Sequence, residues 1–212
     1  MTDNLYERLK HLIDNKLIAK DLDIRNAQLR NVILDELKCD FLDATNADLT
    51  GATLRNAHLM DCDFLSAILF ETDFAYATLW QCKFYDADAR HANFENSYAE
   101  NNFLDKANFS GANFSGTRLS YTSFCKSILR NANFNGSQGR NVQFEEADLT
   151  NAFLMNALLP NANFSGANLT NANLSNSDWR GANFTRANLS GVSWDKAYLD
   201  GAQFDQGFVL NR

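Results

Sequence analysis

Between Ile24 and Phe204 the chain reserves every fifth position for a large apolar side chain: Ile24, Leu29, Leu34, then Phe64, Leu69, Phe74, and finally Trp194, Leu199, Phe204. Two residues earlier the chain is nearly always small, as at Ala27, Ala47, Ala52, Ala57, Cys62, Ala67, Ala197 and Ala202. The residue between them is polar, most often Asn or Asp, and the spacing never slips. A period of five is neither 3.6 nor 2, which excludes an amphipathic helix or a flat alternating strand. One large and one small inward residue per word suits short extended segments joined by tight turns and wound into a solenoid. Gly51, Gly111, Gly116, Gly136, Gly166, Gly181, Gly191 and Gly201 occupy the turn position, with Asn at many others. Both residue types accept the positive φ that such turns need.

The words Ala47-Asp-Leu-Thr-Gly51, Ala107-Asn-Phe-Ser-Gly111 and Ala162-Asn-Phe-Ser-Gly166 resemble the repeat of the pentapeptide-repeat family. The resemblance covers nearly the whole chain beyond its first twenty residues. It implies an all-β solenoid, a right-handed quadrilateral parallel β-helix with four pentapeptides per coil. The residues supply an independent test, because a twenty-residue coil stacks large residues twenty apart. One such column reads Phe64, Phe84, Leu104, Phe124, Phe144, Phe164, Phe184, Phe204, and the opposite one Phe74, Phe94, Phe114, Phe134. The two intervening columns are mostly leucine. A five-residue word alone gives no reason for that segregation, whereas a stacked four-sided coil does. About nine coils follow, and at ~4.8 Å per coil the rod is roughly 45 Å long.

The expected organisation is a capping helix in 1–21, the repeat β-helix in 22–209 and a short tail at 210–212. Leu5, Leu9, Leu12, Ile13 and Leu17 mark one apolar helical face over about residues 4–19, with Asp3 or Asn4 as N-cap. After Phe204 the chain is too short for a second capping helix. Either Phe208, Val209 and Leu210 fold over the end, or two rods meet there tail to tail through Phe204, Phe208, Val209 and Leu210. The exposed strand edges favour the homodimer.

Composition narrows the function. The net charge of −7 divides into −8 over residues 1–100 and +1 over 101–212. No basic stripe offers phosphate neutralisation, so direct nucleic-acid binding is disfavoured. No apolar run approaches ~18 residues and the N-terminus carries no secretory pattern, so no membrane association and a cytoplasmic location are expected. Asn108, Asn113 and similar glycosylation acceptors are by-products of the word. The four cysteines, Cys39, Cys62, Cys82 and Cys125, lack metal-site spacing. Cys62 and Cys82 stack as two buried thiols. His11, His58 and His91 pair with no nucleophile, and a filled rod has no cleft in which catalytic groups could converge. The chain is therefore read as a non-enzyme without cofactor.

The informative words are those that break the polar rule on the outside. Met60, Leu65, Phe70, Trp80 and Tyr85 follow large inward residues where a polar residue is usual, and Tyr76 lies nearby. Twenty-residue stacking sets Met60 against Trp80 and Leu65 against Tyr85, which predicts an exposed apolar patch over two adjoining sides. Asp61, Asp63, Glu71 and Asp73 edge it. Such patches mark protein-partner sites. Two further irregularities are Asn102 in a small inward slot, with Ala89 and Ala99 in large ones, and Gly139 in a large slot. Each predicts a local bulge or slack in the coil. The expected role is an interaction scaffold presenting a rigid surface to a protein partner. The family resemblance implies an alternative, a DNA mimic that binds a type II topoisomerase (DNA gyrase or topoisomerase IV) and confers fluoroquinolone resistance.

Overall fold

The computed structural model describes residues 2–209, with side chains from Leu5 onward. Helix α1 (Thr2–Asp14) is followed by five three-residue strands: β1 (Ile18–Lys20), β2 (Lys38–Asp40), β3 (His58–Met60), β4 (Thr78–Trp80) and β5 (Tyr98–Glu100). They form one parallel sheet in sequence order, each strand twenty residues from the next, as in Cys39↔Leu59 and Leu59↔Leu79. The regular sheet spans about four turns, fewer than the nine coils expected. Isolated parallel bridges carry the same step onward from Tyr98 through Arg118, Gln138, Leu158 and Asp178 to Tyr198. Three further ladders, starting at Asp23, Gln28 and Ile33, repeat the twenty-residue step. The four ladders are the four faces of a parallel β-solenoid, named below by their first residues, Ile18, Asp23, Gln28 and Ile33.

The word explains the geometry position by position. The middle residue of each face points out, and its two neighbours point in. Corners are turned by a residue in the left-handed region, from φ 51° at Asp21 to φ 71° at Gly191. Glycine meets no steric penalty there and Asn little. The residue after the corner closes the turn, as Ala27 N–H donates to Ile24 O at 3.1 Å. Asp or Asn in the outward middle position has its own task. Its Oδ1 accepts the N–H two residues on, from Thr50 to Asp48 and from Ser110 to Asn108 at 3.0 Å each. This local turn satisfies a backbone donor that the ladder leaves free.

The interior is filled. Phe64 and Phe84 stack at 4.8 Å, Phe144 and Phe164 at 4.9 Å, and Phe74, Phe94, Phe114 and Phe134 at 4.8–4.9 Å. Rings of the two opposing columns meet edge to face, as Phe64 and Phe74 do at 5.9 Å. That is the favourable complement to stacking within a column. Leu9 of α1 is fully buried in the same core, with Leu5, Leu12 and Ile13 against it. The helix caps the first coil.

That helix ends earlier than about residue 19. Lys16 N–H donates to Ile13 O and Leu17 N–H to Leu12 O, each at 2.9 Å, with Lys16 at φ 53°. These are the two bonds of a Schellman stop, which frees Ile18 to start the sheet. At the other end Thr2 is already helical, so Asp3 and Asn4 lie inside α1 rather than at its N-cap.

Neither irregularity is a bulge. The bridges Asp88↔Asn108, Tyr98↔Arg118, Phe103↔Ser123 and Gln138↔Leu158 keep the register through both. Asn102 stays inward and buried: its Nδ2 donates to Leu79 O at 3.0 Å and its Oδ1 accepts Cys82 N–H at 2.7 Å. Cys82 follows a corner that lacks the usual closing bond, so the side chain meets a need of the backbone one coil away. Phe109 occupies a leucine column directly beyond Ala89, with its ring 5.9 Å from Phe94 and 6.5 Å from Phe84. The missing volume at Ala89 is supplied by the next coil. At Gly139 a Cβ would lie 2.7 Å from Ser120 N and 2.9 Å from Leu119 C. Backbones approach there more closely than any side chain allows.

Candidate partner-binding surface

Met60 and Trp80 are register partners in β3 and β4, at the corner between the Ile18 and Asp23 faces, and both are exposed. Leu65 and the half-buried Tyr85 occupy the next corner, across the Asp23 face. Between the two corners that face presents Asp63 and Lys83, joined at 4.0 Å. Phe103 completes the surface, 41% exposed with its ring 6.2 Å from that of Tyr85. Burial first, then the Asp105 and Asp63 carboxylates, push the Tyr85 phenol up, so it stays a neutral hydrogen-bonding rim to the patch. Asp61 lies exposed beside Met60.

The solenoid does not bring all the expected residues together. Phe70 is ten residues from Met60 and therefore at the opposite corner. Arg90 lies 5.5 Å from its ring centroid and His91 meets it edge-on at 5.7 Å. Tyr76 occupies the fourth corner beneath Arg55 at 5.5 Å. Glu71 adjoins Phe70. Asp73 is taken up structurally: Oδ2 accepts Arg55 Nη1 at 2.7 Å, and Oδ1 accepts Ala75 N–H and Asn93 Nδ2 at 2.9 Å each. A coil of twenty residues turns a corner every five, so a linear run of outward apolar residues is distributed around all sides. The patch is thus Met60, Leu65, Trp80, Tyr85 and Phe103 with Asp61 and Asp63. Phe103 was legible as a phenylalanine in an outward middle position, where the word demands Asn or Asp. Phe41, exposed at the corner one coil before Met60, extends the patch in the same way.

Three of the four cysteines line the interior, and Cys125 lies at a corner in the column of Leu65 and Tyr85. Cys39, Cys62 and Cys82 are buried free thiols and Cys125 is half-buried. Burial pushes the Cys39 thiol up to about 12, and the contact with Cys82, then burial, raises the Cys62 thiol. Cys39 and Cys62 are therefore held as protonated thiols in the folded chain.

At the far end Phe208 lies parallel to Phe204, centroids 4.5 Å apart. It walls a cleft of about 210 Å³ with Leu189, Val192, Trp194 and Val209. The tail thus folds over the last coil at Phe204. Val209 stays exposed, and Leu210 lies outside the described residues.

A family model for pentapeptide repeats matches eight copies, over residues 23–64, 38–74, 67–101, 107–138, 140–176 and 177–206. The chain belongs to the pentapeptide-repeat family. Among solved structures this pentapeptide-repeat protein is similar to QnrB1, described as a plasmid-mediated fluoroquinolone resistance protein. The two share 20% identity over 90% of each chain, with a TM-score of 0.52. HetL, involved in heterocyst differentiation regulation in the cyanobacterium Nostoc sp. strain PCC 7120, is 24% identical over 90% of this chain and 92% of its own, with a TM-score of 0.48. A pentapeptide repeat protein of the Arabidopsis thaliana thylakoid lumen is 38% identical over 48% of this chain and 68% of its own, with a TM-score of 0.36. No functionally curated protein matches the chain. No helix among the described residues is long and apolar enough to cross a membrane.

Proposed function

We propose that the chain is a non-enzymatic interaction scaffold, and that its docking surface for a protein partner is the patch on the Asp23 face. The observation that carries this reading is the pairing of Met60 with Trp80 beside Leu65, Tyr85 and Phe103. There the outward apolar residues of successive coils fall on two neighbouring corners and the face between them, at positions where the repeat word usually sets a polar residue. Aromatic anchors in such a setting are the usual centres of binding energy. Acids at Asp61 and Asp63 favour a partner with basic residues around an apolar contact. The test uses affinity capture with quantitative mass spectrometry. Trp80→Asp and Phe103→Asp lose the captured partner, whereas Phe70→Asp, at the opposite corner, keeps it. Identical capture by all three variants removes the patch as the site.

The fold likeness to QnrB1 and the acidic first half support a second reading, a gyrase- or topoisomerase IV-binding DNA mimic. Asp23, Asp43 and Asp63 form a direct ladder, with Asp21, Asp40 and Asp61 near it. Six carboxylates over two coil steps, about 10 Å, match the roughly six phosphate charges of the same length of duplex. Arg25 bridges Asp23 and Asp43, however, and Lys83 approaches Asp63, which cancels much of that charge. This reading therefore stands second. A gyrase supercoiling assay with and without a fluoroquinolone decides it: protection at micromolar protein supports the mimic, and no effect removes it.

A further inference from the structure

The four stacked arginine–aromatic pairs of the rod divide by chemistry. Arg55 over Tyr76 and Arg90 over Phe70 are each also bonded to a carboxylate, Asp73 and Asp88, at 2.7 Å. Arg118 over Tyr98 at 4.8 Å and Arg140 over Tyr121 at 5.4 Å are not. Eight arginines lie between Arg25 and Arg180. Among the described residues six of them bridge to Asp, and the two that do not are Arg118 and Arg140. They are neighbours. Arg118 stands in the middle of the Ile18 face, and Arg140 stands at its edge one coil further on. By coil spacing and strand rise their Cα atoms are about 8 Å apart.

The ground between them is unusually bare. Gly139 brings the backbone close to Leu119 and Ser120, and a groove of about 250 Å³ opens there, lined by Glu100, Arg118, Ser120, Gln138 and Gly139. Gly116 and Gly136 strip side chains from the adjoining corner. Beyond Glu100 no acidic residue belongs to this face or its corners before Asp178, whose carboxylate Arg180 already holds. Tyr121 turns the corner at φ 59°, as a residue does at every corner of the coil, and its ring is the platform for Arg140. Stacking fixes each guanidinium while leaving its in-plane N–H groups free for a carboxylate.

We propose that this groove docks an extended stretch of polypeptide carrying acidic side chains at alternate positions. Side chains two apart on an extended strand project from one side at ~6.8 Å, close to the Cα separation of the two arginines. The glycine floor lets a peptide backbone lie flush, and Gln138 and Ser120 provide hydrogen bonds for it. Two isolated cations on an acidic molecule do not make a nucleic-acid track, which needs many phosphate contacts. The groove adjoins the Met60–Trp80 patch, because its rim residue Glu100 is the register partner of Trp80, but its charge preference is opposite and its arginines lie outside the patch, so it does not depend on the function proposed above.

The test is fluorescence anisotropy with the full chain and a fluorescein-labelled peptide of alternating Glu and Ser, alongside an all-Ser peptide. Saturable binding of the Glu peptide alone is expected, weakened at least about tenfold by Arg118→Gln with Arg140→Gln. Lys106→Gln with Lys126→Gln removes the same charge from another corner and leaves affinity within about twofold. Circular dichroism melts verify that both double variants fold. The proposal is overturned by absence of saturable binding, by equal loss in both double variants, or by inorganic phosphate displacing the peptide at or below the peptide's own concentration.

Discussion

At the scale of single residues the fold is governed by which backbone donors and acceptors the ladder leaves unpaired. Asn and Asp recur because their carboxamide or carboxylate closes a local turn, and several also reach the next coil: Asn113 Nδ2 donates to Asn93 Oδ1, and Asn133 Nδ2 to Asn113 Oδ1, at 3.1 Å each. Gly139 is the sharpest single-residue constraint. Gly139→Ala places a methyl against the Leu119–Ser120 backbone and should cost about 1–3 kcal/mol, read as a lowered urea midpoint with unchanged m-value. Gly136→Asn, at an open left-handed corner, should cost only a few tenths of a kcal/mol. Acid sensitivity also belongs here. Hydrogen bonds from Arg90 and Arg180 hold the Asp88 and Asp178 carboxyls below their ordinary value, against the opposing effect of burial. A group whose folded pKa is lowered stabilises the fold above its unfolded pKa and loses that contribution as pH falls through the folded one. Thermal midpoints should therefore be flat down to about pH 5 and decline below pH 4, less steeply in Arg180→Gln.

At the scale of the coil, packing is balanced between neighbouring turns rather than within each word. Ala89 leaves room that Phe109 fills from the following coil, and Leu104 interrupts the phenylalanine column at the same level. Phe109→Ala should cost about 3–5 kcal/mol in equilibrium unfolding, because the cavity adds to Ala89. Phe109→Leu combined with Ala89→Leu restores the leucine column and should cost less than about 1.5 kcal/mol. Equal losses in the two variants would show that the coils do not share volume. Asn102 and Cys82 make the polar counterpart of this exchange. Both features are visible in the sequence as departures from the word. Their resolution was not, because the compensating residue lies twenty positions away and only register identifies it.

For the molecule as a whole, the two ends differ in kind. At the start Leu9 enters the core and α1 closes the first coil. At the finish Phe208 covers Phe204, while Leu199 and Val192 remain half-buried and Val209 is exposed. Wild-type protein should elute with a mass near 23.8 kDa by light scattering, since the tail supplies the cover that a second rod would otherwise give. Phe208→Ala uncovers the last coil and should raise the mass with concentration, as open strand edges pair. A constant dimer mass in the wild type would instead favour tail-to-tail assembly.

The repeat by itself determined the architecture. A five-residue word with one large and one small inward residue leaves no other way to bury apolar area. The alternation of Phe and Leu columns makes the twenty-residue coil legible in the sequence alone. It also showed which outward residues break the polar rule, Met60, Leu65, Trp80 and Tyr85 among them. Only the folded coil decided which of these meet. Four corners per turn carried Phe70 to the corner opposite Met60 and Tyr76 to the far edge of the Ile18 face, and brought in Phe103 from the next coil. Arg118 and Arg140 are unremarkable in the sequence. They became a pair because stacking put each over a tyrosine one coil back, and because a glycine between them drew two backbones together.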